Sequence, residues 1–536
     1  MHNGSGGFVI EGGAGASHEI LNEVTSGTGT SFTTVGDGPA RRVRRTWLDT
    51  FDWRLYRAGL ALELQAGRGG TELILSGRDG ERLATLPVPA SNSRAGHAHA
   101  GANGGGPLSW PSMTAALPPG PLRELLEPVA GIRALAPVAR AASRVREHRV
   151  LNSDTKTVAR LIVDEMAVSY PAKAHPLPRL AVIPVRGYQA QGERLSSALA
   201  ANGGISLSGR SALEIALEAA GQHPGRRTAT VQLTPAMPAA AALAAILTAQ
   251  LDIIEANVPG TIRDVDTEFL HDLRIAIRRT RSALKLAGRA LPAGLAERYR
   301  AEFKWLGDLT TPTRDLDVYL LGFDQMTAGL VGAESEDLRP FLQYLMRSRA
   351  TAHRELARGL RSARFARLAR QWRADLAEVR QARKRPTAAQ LSGRRIASAQ
   401  RRALRAGQRI TAISPATDLH ELRKDCKELR YLVELFGSLH DPELRWQAVR
   451  ELKALQDCLG EFQDAEVQRD EIRAFAERML TERSAPAATL LAMGEIAAGL
   501  ARRQRQARAD FDSKFAAFAS RPSQARLAAL TEPGGI

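Results

Sequence analysis

The sequence predicts an α+β protein in two parts, an antiparallel β domain followed by an all-α, internally duplicated pair of helical bundles. Three observations predict it. Residues 47–75 alternate apolar and polar with a strand period, long amphipathic helical runs fill the chain beyond Ala239, and one motif recurs in those runs at a constant offset.

At 536 residues the chain exceeds one ordinary core, so two or three domains are expected. The first thirty residues are rich in Gly, Ser and Thr, and the alternation of residues 47–75 turns at the Gly-Arg-Gly-Gly of residues 67–70. Residues 91–121 are Gly, Ala, Pro and Ser with His97 and His99, a composition that cannot bury enough surface to order itself. They are read as a disordered insertion in a domain of residues 1–220, and the His-x-His pair as incidental. Strand patterning returns at residues 144–168 and 180–188, and a Pro-bounded linker follows at residues 221–238. The helical domain spans residues 239–525, with breaks expected at Pro259-Gly260, residues 292–294, Pro312, Pro386 and Asp441-Pro442.

The formal charge is +17, divided as 23 basic against 19 acidic residues before Gly225 and 51 against 38 after it. The excess therefore belongs to the helical part, and its sign fits nucleic acid, anionic membrane or polyphosphate. No apolar stretch long enough to span a bilayer and no leader pattern is read, so a cytoplasmic protein is expected. Two cysteines, Cys426 and Cys458, make no disulfide framework, and no Cys/His cluster has metal-binding spacing. No cofactor or metal is expected.

Within the helical part, Leu270, His271, Leu273, Arg274, Arg278 and Arg281 recur as Leu419, His420, Leu422, Arg423, Lys427 and Arg430, an offset of 149. The same offset carries Lys304, Leu306, Asp308, Asp315, Asp317 and Val318 onto Lys453, Leu455, Asp457, Asp464, Glu466 and Val467. So long a period points to two homologous bundles packed as a pseudo-symmetric pair. In each copy the basic residues fall at i, i+3, i+7 and i+10, an arc of about 80° on one helix face. Leu270, Leu273, Ile277 and Leu284, and in the second copy Leu419, Leu422, Cys426 and Val433, form an adjoining core side. Both cysteines replace apolar residues of the first copy and are read as core filler, and Trp305 and Tyr431 are assigned to the core.

A row of like charges along one helix face is self-repelling and needs a partner. Either the acids of the bundle, Asp308, Asp315 and Asp317 and their counterparts, pair with the arginines, or two facing stripes form a basic channel for an external polyanion. Guanidinium forks suit phosphate oxygens, which favours the channel, with the acids orienting the cations. Asp315 has a second available role at a helix amino terminus after Pro312.

The doubled His-x-Leu-Arg-x-x-x-Arg/Lys-x-x-Arg pattern, with the segments at residues 304–318 and 453–467, resembles the CHAD domain, a conserved histidine α-helical domain, over residues 237–525. The resemblance implies paired helical bundles around a basic cavity, binding of inorganic polyphosphate and association with polyphosphate or related granules. Carried over residue by residue, the binding positions are His271, Arg274, Arg278 and Arg281, and His420, Arg423, Lys427 and Arg430. Lys285, Lys304 and Lys453 extend the set. Lys285 stands on the basic face while its counterpart is Glu434, which shortens the second stripe.

The segment of residues 49–62, opening with Asp49-Thr50-Phe51-Asp52, is similar to the CYTH family of triphosphate tunnel enzymes, over residues 8–220. The resemblance implies a tunnel or barrel of strands, here degenerate. No Glu-x-Glu-x-Lys is found around Glu11, Glu63 and Gln65 occupy the expected Arg-x-Arg, Ser76 an expected Lys, and residues 182–185 carry no carboxylate. Arg144, Arg146, Arg149 and Asp164 remain, too few for the metal site such chemistry requires. The expectation is a non-catalytic polyphosphate-binding protein; the rivals are a metal-dependent triphosphatase or polyphosphatase and a nucleic-acid-binding protein.

Overall fold

The protein, known here as a computed structural model, is described at residues 7–10, 32–36, 38–78, 80–89, 109–201, 205–224, 231–380 and 386–532. It divides into two compact units, Met1–Arg227 and Thr228–Ile536. The His97/His99 pair, Glu11 and most of the expected insertion lie outside the described residues.

In the first unit, ten strands among the described residues form one antiparallel sheet: β1 (Gly7–Ile10), β2 (Thr33–Gly36), β3 (Arg41–Thr50), β4 (Leu60–Gly67), β5 (Gly70–Gly77), β6 (Arg82–Val88), β7 (Leu135–Leu151), β8 (Thr157–Tyr170), β9 (Arg179–Pro184) and β10 (Ile205–Leu207). Their order is β10-β1-β9-β8-β7-β3-β4-β5-β6, with β2 paired to β7. β4 and β5 make the expected hairpin, with Gly67 opposite Gly70, whose φ of 116° is a conformation that glycine adopts freely.

Four helices accompany the sheet: α1 (Arg54–Arg57), α2 (Pro121–Ala130), α3 (Gln189–Ala200) and α4 (Ala212–Ala219). α2 packs Leu122 and Leu126 against Leu48 and Leu62. α3 packs Leu195 and Leu199 against Leu161 and Leu180. α4 sets Leu213 and Leu217 against Trp47 and Met166. Trp47 and its neighbour Leu48 point to opposite faces of β3 and both are buried, so this strand has core on two sides. The end of the expected insertion is ordered: a short 3-10 turn at Thr114–Ala116 leads into α2, and Leu117 is buried.

The second unit is all helical: α5 (Ala239–Arg263), α6 (Thr267–Ala287), α7 (Leu295–Leu321), α8 (Phe323–Thr327), α9 (Arg339–Leu360), α10 (Ala363–Arg380), α11 (Ala388–Gln408), α12 (Ala416–Leu435), α13 (Pro442–Thr481), α14 (Ala487–Ala519) and α15 (Arg521–Ala529). The duplication reaches one helix further back than the motif, because α5 and α11 begin at residues 239 and 388, the same spacing as α6 and α12 at 267 and 416. α6 is capped by Asp266, whose carboxylate accepts the backbone N–H groups of Glu268 and Phe269.

Three expectations are corrected here. Pro259-Gly260 and Pro312 do not end helices; they lie inside α5 and α7. At Pro312 the hydroxyls of Thr310 and Thr311 donate to the Gly307 carbonyl, 2.8 and 3.0 Å, supplementing a ladder in which proline has no N–H to give. Asp315 accordingly sits mid-helix and not at an amino terminus. α5 is the one helix among the described residues long and apolar enough to cross a bilayer by length and composition alone. In this fold it is a core helix, with Leu243, Leu247, Leu251 and Ile254 buried. Residues 231–238, assigned to a linker, belong to the bundle: Leu233 is buried, and its N–H donates to the Ser438 hydroxyl at 3.0 Å.

The two copies meet around a pseudo-two-fold axis. Ala239 N–H donates to the Pro386 carbonyl (2.9 Å) and Ala388 N–H to the Met237 carbonyl (2.7 Å), a reciprocal pair between equivalent residues. Arg279 bonds Glu434 (3.1 Å) and Lys285 bonds Glu428 (2.9 Å) across the copies. These contacts are also equivalent, since 279 corresponds to 428 and 285 to 434, but one copy carries both cations and the other both anions. One core runs through both copies, joining Leu270, Leu273 and Ile277 with Leu419, Leu422 and Cys426.

Charge complementarity of this kind predicts the result of a swap. Arg279→Glu/Lys285→Glu places four acids at the interface and lowers both the stability of the helical unit, by about 1 kcal/mol or less per partly exposed pair, and with it the melting temperature. Adding Glu428→Lys/Glu434→Arg restores much of the loss. Thermal unfolding followed at the helical circular-dichroism band checks it, and additive losses in the quadruple variant refute the pairing.

Candidate functional site

The basic stripes lie on α6 and α12, and the acids and hydroxyls that border them on α7 and α13. α6 buries Leu270, Leu273, Ile277 and Leu284, and α12 buries Leu419, Leu422, Cys426 and Val433, as the periodicity predicted. Core packing thus fixes the rotation of each helix and directs the adjoining basic arc away from the apolar contact. Cys426 is fully buried and Cys458 is 9% exposed; burial pushes the Cys426 thiol up to about 12, so both occupy the core positions expected of them.

In the first copy Arg274 Nη1 donates to Thr310 Oγ1 (3.0 Å) and Thr311 Oγ1 (2.8 Å). Burial holds the Arg274 guanidinium below its ordinary pKa; Asp315 opposes the shift, while Arg278, Arg314 and Arg281 add to it. Arg281 lies against Gly307, its Nη1 2.9 Å from where a Cβ would stand, so a side chain at 307 would displace it. His271 is half-buried beside Arg314, and burial first, then that guanidinium, lower its pKa.

In the second copy Arg423 Nη1 donates to Gln463 Oε1 (2.6 Å) and Nη2 to Asp464 Oδ1 (3.0 Å). Arg430 is 3.4 Å from Glu434 and stacks at 5.6 Å from the Tyr431 ring. Lys427 has its pKa lowered to about 8, by burial first and then by the positive charges of Arg423, Arg278 and Arg430, with Asp464 opposing. Arg278 belongs to the other copy and is the counterpart of Lys427, so a charge of the first stripe acts on the second.

Not every predicted residue joins this cluster. Lys285 is drawn to Glu428 at the copy interface, and Lys304 pairs with Asp308 at 2.6 Å on an exposed turn of α7. Lys453 and His420 are placed on α13 and α12, exposed and half-buried. Asp317 is buried and bound to Arg349 (2.7 Å), so of the three acids of α7 it serves the bundle and Asp315 serves the stripe. Trp305 is only partly buried, with Arg364 at 4.2 Å over its ring.

Sequence comparison missed Arg314. Its counterpart is Gln463, so matching the copies discarded it, and the available signal was a cation one residue before Asp315 on the helix that borders the stripe.

In the first unit, Asp164 is 3% exposed and lies 3.0 Å from Arg45 Nη2, whose Nε is 3.6 Å from Glu63. Asp164 is opposite Arg179 in the β8–β9 register. Burial raises the Glu63 pKa against the pull of Arg45, and Asp164 raises it further. The acids left on this face are thus matched by Arg45 and Arg179, neither of which the sequence reading selected. Arg146 pairs instead with Glu165 at 3.6 Å. The Asp-Thr segment is a turn lock: Asp49 accepts the N–H groups of Thr50, Leu55 and Tyr56 at 2.6, 2.9 and 2.9 Å. Burial pushes its carboxyl up to about 6, the three N–H groups opposing. Among the described residues no group of three or more His, Cys, Asp or Glu is placed to hold a metal ion.

The Lys427 arrangement has a definite sign. Its folded pKa lies below the ordinary value of 10.5, so the stability it contributes is present above about 10.5 and is lost as pH falls through about 8. Arg278→Gln removes one repelling charge from the other copy and raises the Lys427 midpoint. Lysine-methyl NMR across pH 7 to 11 reads it, and an unchanged midpoint shows that the stripes do not meet.

The CHAD domain family model matches residues 245–473. Among solved structures the chain is similar to the CHAD domain from the plant Ricinus communis, with 24% identity, a TM-score of 0.47, and coverage of 54% of this chain and 95% of that one. It is also similar to PptA from Streptomyces chartreusis, with 19% identity, a TM-score of 0.41, and coverage of 52% and 99%. No curated protein matches the chain.

Proposed function

We propose, from the match of residues 245–473 to the CHAD domain family model, that the helical unit binds inorganic polyphosphate without chemical turnover, on cytoplasmic polyphosphate or related storage granules. The observation that carries this reading is the pairing of the two stripe-bearing helices through Arg279–Glu434 and Lys285–Glu428, which brings two basic faces into one molecule with Arg278 acting on Lys427. Repulsion among these cations outweighs the single opposing acid, Asp464, and an anion that enters their field relieves it. A linear polyanion offers identical phosphoryl groups at short spacing, so one chain engages both copies and gains from the linkage.

In this reading Arg274, Arg278, Arg281, Arg423 and Arg430 set the baseline affinity. Lys427 and His271, whose charged forms are disfavoured in the free protein, take up protons as the anion binds, because a nearby negative charge stabilises them. Binding therefore tightens as pH falls and weakens steeply with added salt. Lys304 and Lys453 would act at the margins of the site.

The expected outcome of a titration at equal phosphate concentration and physiological salt is tighter binding of long-chain polyphosphate than of duplex DNA. Equal or tighter DNA binding would favour the nucleic-acid reading. Arg274→Glu/Arg278→Glu and Arg423→Glu/Lys427→Glu should each remove most of the affinity for long chains; a folded double variant that binds as wild type excludes a shared site. The proposal extends to the first unit, where Glu63 and Asp164 are neutralised by arginines: ATP, thiamine triphosphate and tripolyphosphate should not turn over with Mg²⁺ or Mn²⁺. Turnover abolished by Asp164→Asn would establish the triphosphatase instead.

A further inference from the structure

The two stripes are copies in sequence, but their surroundings have diverged. In the second copy, Arg423 is held by Gln463 and Asp464, and Arg430 by Glu434. In the first copy, Arg274 is held by two neutral hydroxyls. Among the described residues, Arg278 and Arg281 make no ion pair, and Arg278 is exposed. Arg314 adds a further guanidinium beside His271 and Arg274. Its Nη1 is buried and makes no hydrogen bond, and the buried Asp317 nearby is already bound to Arg349. Guanidinium groups with no direct ion pair are therefore concentrated in the first copy, where Asp315 acts on Arg274 and Arg314 without bonding either.

Resting on the polyphosphate reading, we propose that the first copy contains a discrete oligophosphate seat formed by Arg274, Arg278 and Arg281 and completed by Arg314, and that the second copy is engaged only by chains long enough to extend beyond it. A phosphoryl group entering the first copy gains charge-assisted hydrogen bonds from cations that no carboxylate holds by a direct bond, although Asp315 lies within their field. One entering the second copy must compete with Asp464 for Arg423 and with Glu434 for Arg430, which offsets much of the gain. The thread of contact therefore has a direction, from the first copy towards the second. Arg314 is a specificity determinant that no comparison of the repeats would find, because glutamine stands at its counterpart.

Isothermal titration of the full chain with tripolyphosphate and with long-chain polyphosphate, at fixed ionic strength, tests the assignment. Arg314→Gln is expected to weaken tripolyphosphate binding roughly tenfold, the scale of one lost hydrogen bond to a charged group, and by more than Arg423→Gln does. Arg314→Lys, which keeps the charge, is expected to retain most of the affinity. Equal losses from Arg314→Gln and Arg423→Gln, or long-chain binding by wild type with no tripolyphosphate binding, overturn the seat. Tripolyphosphate binding with no long-chain advantage leaves the seat standing and overturns the polyphosphate reading; binding of neither overturns both.

Discussion

Everything in the helical unit depends on holding like charges together in the absence of their ligand. Arg278 and Lys427 approach from different copies, and burial plus mutual repulsion lower the proton affinity of the lysine. The opposing force is apolar burial on the other side of the same two helices. Each fully buried leucine contributes about 1.5–3 kcal/mol, against a few tenths for an exposed like-charge pair on a helix. Leu270, Leu273, Leu419 and Leu422 are all buried in one core, so packing prevails and the cations stay in register. A site assembled this way is already ordered when an anion arrives, which limits the ordering cost of binding.

Duplication supplied the geometry and divergence supplied its polarity. Reciprocal peptide hydrogen bonds at residues 237–239 and 386–388 keep the two-fold relation at the start of the first helix pair. At the charged interface the relation survives in position but not in sign: Arg279 and Lys285 face Glu434 and Glu428. Two first copies would set Arg279 against Lys285, and two second copies would set Glu428 against Glu434, so each copy is complementary to the other and repels its own kind. The same acidification of the second copy places Glu434 beside Arg430, which links the interface to the asymmetry of the binding stripes.

The first unit shows how buried charge can be contained without a ligand. A carboxylate in a sheet interior needs a counter-charge. Asp164 and Glu63 find it in Arg45, with Arg179 opposite in the sheet register. Asp49, at the head of the segment that carries the family resemblance, is occupied by three backbone N–H groups. That segment therefore has a role in local folding, closing the turn from the third strand into the first helix.

The sequence by itself determined the two-part α+β architecture, the duplication and the basic face, because hydrophobic period and repeat offset are properties of the chain alone. It also located the core side of α6 and α12 to the residue, since one helix face cannot serve both core and charge. It misplaced the breaks at Pro259 and Pro312, which lie inside α5 and α7, because the packing of these long helices against the bundle core outweighs the one ladder bond that each proline removes. Tertiary structure alone decided which cations belong together. Lys285 and Lys304 lie near the stripe in sequence pattern yet are drawn to Glu428 and Asp308, while Arg314, 33 residues beyond Arg281, comes to lie beside His271. Helical spacing orders side chains along one helix; which charges meet across helices depends on how cores pack, and that information is not local.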